Sequence, residues 1–137
     1  MAIYDVTNRY VLAANTWLVV TNWTLCPFST NVTVSLPAGT MQVISPGYYQ
    51  ITATASIIGL DVGGDDYSMT VGRGPAGTTV SYMQASTTAM STERQCMAAN
   101  SYAYLTNGET VSLMIKSLVG DDVDIVTGHL TLEYVKP

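Results

Sequence analysis

The sequence predicts an all-β fold, a sandwich or barrel of about ten short antiparallel strands, and three observations carry that expectation. Apolar and polar residues alternate in run after run, as in Tyr49, Ile51, Ala53, Ala55 and Ile57 against Tyr48, Gln50, Thr52, Thr54 and Ser56; a period of two is the period of a strand. Turn residues separate the runs, at Pro37-Ala38-Gly39, Ser45-Pro46-Gly47, Asn107-Gly108 and Gly120-Asp121-Asp122. No window of about a dozen residues keeps apolar groups at i, i+3, i+4 and i+7, so helices are not expected.

In chain order, Trp17, Val19, Thr21 and Trp23 alternate with Leu18, Val20 and Asn22, and Val32, Val34 and Leu36 with Thr33 and Ser35. Met41 to Ile44 is a short strand. Ser45-Pro46-Gly47 launches the next, with Tyr49, Ile51, Ala53, Ala55 and Ile57 in the core and a polar, aromatic-tipped face opposite. Gly59 to Asp66 reads as a loop, Tyr67, Met69 and Val71 as a strand, and Gly72 to Gly77 as a turn. Val80, Tyr82 and Gln84 form another strand, and Thr87 to Glu93 a polar connection. Met97, Ala99, Ser101, Ala103 and Leu105 oppose Ala98, Asn100, Tyr102 and Tyr104. Asn107-Gly108 is a two-residue hairpin signal because both positions tolerate positive φ, and Val111, Leu113 and Ile115 continue inward beyond it. Leu130, Leu132 and Tyr134 face inward from the last strand. With no internal repeat and no composition shift, residues 16–137 are expected to form one domain, preceded by 1–15 as an N-terminal arm or edge strand.

A chain of 137 residues is long enough to bury a core without metals or cross-links. Hydrophobic residues make up 47% and charged residues only 11%, against a usual charged share of roughly 25%. Charge is depleted at the centres of protein interfaces, so part of this surface is expected to be covered by neighbours; a plain Thr-rich β-protein is the alternative. The formal charge of −5, with Lys and Arg totalling 5, leaves no basic patch for nucleic acid or anionic lipid. No apolar run approaches the roughly 20 residues that cross a bilayer. Met1 to Thr7 lacks the basic start and apolar segment of a secretory signal, so synthesis and retention in a cytoplasm are expected. Cys26 and Cys96 make neither a disulfide framework nor a zinc motif. Each is expected to be a reduced, buried small hydrophobe, with a single bridge between them left open.

Catalysis is not expected. His129 is the only histidine, and although Cys96 with His129 is the one Cys–His pairing available, no orienting carboxylate accompanies it. Asp61, Asp65 and Asp66, and again Asp121, Asp122 and Asp124, are acidic clusters; neither has the spacing of a calcium loop, so they read as solvated turns, and no metal or cofactor is expected. No carboxylate pair points to glycoside cleavage. Asn22-Trp23-Thr24 and Asn31-Val32-Thr33 match the glycosylation pattern by chance if the chain is never secreted.

Three stretches in order, Ser45 to Ala53, Leu105 to Val111 and Gly128 to Tyr134, resemble the tumour-necrosis-factor-like jelly roll, shared with the globular head of the complement first component. Asn15 to Val20 followed by Pro46 to Ile51 looks like the opening of the TNF-like domains of bacteriophage structural proteins. Asn107-Gly108-Glu109-Thr110-Val111 stands where the family has a Gly-Asp-x-Val turn, with Glu109 replacing Asp, and Gly128 where its last strand carries a Gly, although an aromatic usual nearby is missing. The resemblance covers roughly 15–135 and implies an antiparallel two-sheet jelly roll that forms a homotrimer through the non-core faces of its inner sheets. Carried onto this chain, Tyr48, Tyr102, Tyr104, His129 and Thr131 would meet at the trimer axis; an ordinary solvated sheet face is the alternative.

The function implied is that of a phage head decoration, or cement, protein. Its partners would be itself and the major capsid protein. It would sit on the outer capsid surface of the virion and clamp neighbouring subunits, with Ile3, Tyr4, Val6 and Tyr10 as capsid contacts on the N-terminal arm. A receptor-binding domain at a phage tail or fibre tip is the competing expectation, with Trp17, Trp23 or the Asp-rich loops recognising a host glycan. A bacterial carbohydrate-binding or adhesive module is a third.

Overall fold

The computed structural model describes residues 2–4, 8–25, 30–60, 64–74, 80–89 and 93–137, and every regular element in them is a strand. There are twelve, ten of them three residues or longer: β1 (Ala2–Tyr4), β2 (Asn8–Tyr10), β3 (Leu18–Val19), β4 (Thr24–Leu25), β5 (Val32–Ser35), β6 (Thr40–Val43), β7 (Gly47–Gly59), β8 (Asp65–Arg73), β9 (Val80–Ala89), β10 (Arg94–Leu105), β11 (Thr110–Ser117) and β12 (Val123–Lys136). They form two antiparallel sheets. The first runs β10-β7-β12-β1-β4 with β2 also on β12, and the second runs β5-β6-β11-β8-β9 with β3 also on β11.

The core lies between the sheets on the residues that alternation selects. Tyr49, Ile51 and Ile57 of β7, Tyr67, Met69 and Val71 of β8, Val111, Leu113 and Ile115 of β11, and Val123, Ile125 and Leu130 of β12 are each at most 1% exposed. Burying one such side chain contributes about 1.5–3 kcal/mol. A bulge between Ile125 and Thr127 shifts the phase of β12, so inward positions change from odd to even and Leu130 joins the core.

Asn107-Gly108 forms its turn but not a hairpin. Glu109 N donates to Thr106 O at 3.1 Å and Gly108 has a φ of +82°, yet β10 pairs with β7 while β11 pairs with β3, β6 and β8. The turn reverses the chain, and the ladder from Leu105↔Gly47 to Arg94↔Ile58 holds β10 in the first sheet. The chain therefore crosses between sheets here.

The alternation over Trp17 to Trp23 is also interrupted, since Asn22 adopts a φ of +60° and only Leu18–Val19 is strand. Val20 and Trp23 both point inward, and Trp23 Nε1 donates to Val20 O at 2.7 Å. Gly39 is needed beside them: it has a φ of +68°, and a side-chain carbon there would collide with Val20 O and lie 3.0 Å from Trp23 Nε1. Trp23 also covers Gly128, where such a carbon would come 3.6 Å from its Cη2, so the core next to Gly128 receives its aromatic ring from Trp23. Thr87 and Thr88 are strand rather than connection, pairing with Tyr67 and Asp66.

The described part of 1–15 lies against the domain's own sheet, with β1 and β2 paired to β12. Tyr10, expected at an outer contact, is instead 7% exposed and donates its hydroxyl to Thr21 O at 3.0 Å. The cause is its register opposite the buried Val123, which turns it inward. Arg9 anchors the same strand by two hydrogen bonds to Asp124, at 3.0 and 3.2 Å, and the bond and charge of Asp124 raise the Arg9 pKa. Ile3 and Tyr4 pair in backbone register with His129 and Gly128, and Val6 lies outside the described residues.

Candidate association face

The outward side of the first sheet is a grid built by three strands in register. Reading from β10 through β7 to β12, its rows are Cys96–Ser56–Thr127, Ala98–Thr54–His129, Asn100–Thr52–Thr131 and Tyr102–Gln50–Glu133, ending in Tyr104–Tyr48–Lys136. Each member sits opposite in phase to a core residue, which is why the face is continuous over roughly 30 Å at about 3.4 Å per residue. The three rows from Cys96 to Thr131 contain no Asp, Glu, Lys or Arg.

All five residues expected at the trimer contact lie on this face. Tyr48, Tyr102 and Tyr104 are 44%, 60% and 46% exposed, His129 is exposed and Thr131 half-buried. Tyr48 and Tyr104 meet edge to face with ring centres 5.2 Å apart, and Lys136 Nζ lies 5.5 Å from the Tyr48 ring. Such rings bury large apolar area while keeping a hydroxyl for a partner. Lys136 was not expected here, because alternation from Tyr134 would turn it inward. A second irregularity between Tyr134 and Lys136 reverses the phase and leaves Val135 exposed.

The end of β10 that carries Tyr104 is fastened from the second sheet. Arg73 donates to Glu109 Oε1 at 2.6 Å and to Tyr104 O at 3.1 Å, while Glu109 Oε2 accepts from Thr106 N at 3.0 Å. Glu109 thus joins the turn to β8.

The residues weighed for chemistry are not assembled into a reactive site. Cys96, expected to be buried, is exposed, because Met97 takes the inward phase of β10. Cys26 lies outside the described residues, as does any bridge to it. Cys96 and His129 stand on the two strands that flank β7 and are offset by one row, a separation of roughly 10 Å across two strand spacings alone. Asp65 is buried, accepting from Ser117 Oγ and from Asp66 N. Ser117 Oγ in turn accepts from Gly120 N and Asp121 N at 2.7 and 2.9 Å, which shapes the turn into β12. Asp124 is occupied by Arg9, and Asp61 lies outside the described residues. Among the described residues no three His, Cys, Asp or Glu side chains converge as a metal site.

Comparison with solved structures places this architecture. Eiger TNF from S. frugiperda superimposes with a TM-score of 0.67 at 15% identity, over 99% of this chain and 94% of that one. Murine APRIL superimposes with a TM-score of 0.62 at 10% identity, over 93% of this chain and 95% of that one. At such identities the likeness is one of fold, and the fold is a TNF-like jelly roll. No family model matches the chain, and no curated protein matches it in sequence.

Proposed function

We propose that this protein works by association rather than by catalysis. Three copies pack the outer faces of their β10-β7-β12 sheets around a common axis, and the trimer binds the outside of a bacteriophage capsid as a decoration protein. It is made in the host cytoplasm and ends on the virion surface, where it clamps neighbouring major capsid subunits. The observation that carries the self-association is the outward grid: three uncharged rows bordered by three exposed tyrosines. Interfaces are depleted of charge at their centres and enriched in tyrosine, and this face has both properties. A TNF-like fold supports the same arrangement, and the resemblance of Asn15 to Val20 and Pro46 to Ile51 to phage structural domains supports the capsid as partner. A trimer engaging several capsid subunits needs only weak individual contacts, since each docking event raises the effective concentration for the next.

Light scattering on the purified protein tests the first step, and a mass of three chains is the expected result. Mixing it with undecorated phage heads tests the second, with stoichiometric binding and a raised thermal rupture temperature expected. A single-chain mass at micromolar concentration, or heads that neither bind nor gain stability, would remove the corresponding step. A polar groove on the opposite sheet favours a second reading, a receptor-binding domain of a tail; a gene beside tail genes rather than beside the capsid gene would support it.

A further inference from the structure

The second sheet carries a concave strip on its own outer side, where β11, β8 and β9 lie side by side. Two rows form it: Lys116–Ser68–Ser86, and Asp66–Thr88 with Leu118 at the edge, where Leu118 N donates to Asp66 O at 2.9 Å. The depression is shallow and open, with a volume of about 380 Å³. We propose that this groove binds a neutral oligosaccharide.

The chemistry of the lining selects that class. Ser68, Ser86 and Thr88 offer hydroxyls that both donate and accept, Asp66 accepts only, and Lys116 donates only, which matches the mixed donor and acceptor pattern of sugar hydroxyls. The hydroxyls are held in place: Ser68 Oγ and Ser86 Oγ are 2.8 Å apart, and Thr88 Oγ1 donates to Asp66 Oδ1 at 2.5 Å. A carboxylate has about four lone-pair sites, so acceptor capacity remains on Asp66. One carboxylate and one ammonium give the lining no net formal charge, and the chain as a whole carries −5; polyanions gain no attraction here. Among the described residues of the lining a cation would find a single carboxylate, where calcium takes six to eight oxygens. An apolar ligand or peptide anchor would find Leu118 as its sole large hydrophobic wall.

Lys116 is also wired to a reporter. Its Nζ lies 4.8 Å from the centre of the Trp17 ring and donates to Asn15 Oδ1 at 3.1 Å. Trp17 is partly exposed, whereas Trp23, the only other tryptophan, is buried in the core. A sugar that engages Lys116 therefore disturbs the ring beneath it. The groove faces away from the association face, so this inference stands whether or not the protein trimerises.

The test is a titration of the full chain with cellohexaose, maltohexaose and chitohexaose, followed by amide NMR shifts and tryptophan fluorescence. Sialyllactose and a heparin hexasaccharide serve as charged comparisons. At least one neutral hexasaccharide should saturate below about 10 mM, moving the amides of Ser68, Ser86 and Thr88. Asp66→Ala and Lys116→Ala should each weaken it at least about tenfold, with unchanged circular dichroism, while Thr33→Ala, at an exposed position of β5 outside both faces, leaves it intact. Failure of all three neutral sugars to saturate, indifference to both variants, or a preference for the charged sugars would overturn the proposal.

Discussion

The outer faces of the two sheets start from the same alternation and end as different surfaces. On the first sheet, β7, β10 and β12 run for 13, 12 and 14 residues, and their outward positions line up in rows whose middle is uncharged. On the second, β11 is buried on both sides, with Ser112 and Met114 at 7% and 2% exposure alongside Thr70 at 1%. Met114 has room there because Gly72, paired on β8 with Ser112 and diagonal to Met114, has no side chain: a side-chain carbon at Gly72 would come 2.6 Å from the Met114 Sδ. Open on that side are the short polar strip around Asp66 and Lys116 and, further along the sheet, outward positions such as Thr33, Ser35 and Gln42. An outward position in a strand thus becomes open uncharged face, groove or second core according to its neighbours.

The largest effect that separates the two faces should come from Thr54→Arg, placed in the middle of the three uncharged rows. An unpaired charge buried between subunits costs about 3–5 kcal/mol, so light scattering should report single chains for the variant against the proposed three-chain mass for the unmodified protein. Ser86→Arg, the same change on the opposite sheet, should leave the mass alone; equal effects of the two would erase the distinction. Gly39→Ala should damage both faces together, since it strains a positive-φ position and displaces the Val20–Trp23 contact, lowering unfolding free energy by about 2–3 kcal/mol in denaturant melts. Tyr102→Ala removes the most exposed ring of the first face and should weaken the proposed trimer by about 2 kcal/mol without lowering monomer stability. A loss of stability without loss of association would assign Tyr102 to the subunit alone.

Tyr49→Phe probes the core beneath that face. It removes the hydroxyl's 2.6 Å bond to Ser45 O and should cost about 1 kcal/mol. Burial first, and the neighbouring Tyr134 second, raise the Tyr49 pKa above its ordinary value. The folded protein then holds this proton more tightly than the unfolded chain. Its contribution is complete below the unfolded tyrosine pKa of about 10 and is lost as pH rises through the folded pKa. Alkaline melts should fall less steeply for the Phe variant. The smallest change is expected from Ser56→Ala, whose hydroxyl is buried with no hydrogen-bond partner among the described residues; stability should stay within about 1 kcal/mol or rise.

Much of the fold could be read from the chain. The inward sets of β7, β8 and β11, and the outward tyrosines of β7 and β10, follow from alternation and appear as expected. Misreadings arose where one backbone residue changed phase or direction. Asn22 at positive φ brings Val20 and Trp23 to the same side, and the irregularity at Tyr134/Lys136 swings Lys136 toward Tyr48. Tyr10 and Cys96 exchanged their expected environments for a similar reason, since register against Val123 draws one in and the adjacent Met97 pushes the other out.

Over β7, β8 and β11 local chemistry alone decided strand phase and the inward residues, because side-chain alternation and turn preference act over a few neighbouring residues. Sheet membership needed the folded molecule. The turn at Asn107-Gly108 joins two sheets because β10 finds β7 and β11 finds β8, pairings of residues far apart in the chain. The groove likewise exists only where Asp66, Ser86 and Lys116 arrive on three strands at once. Such meetings depend on which distant segments pack together, and a period of two is silent about them.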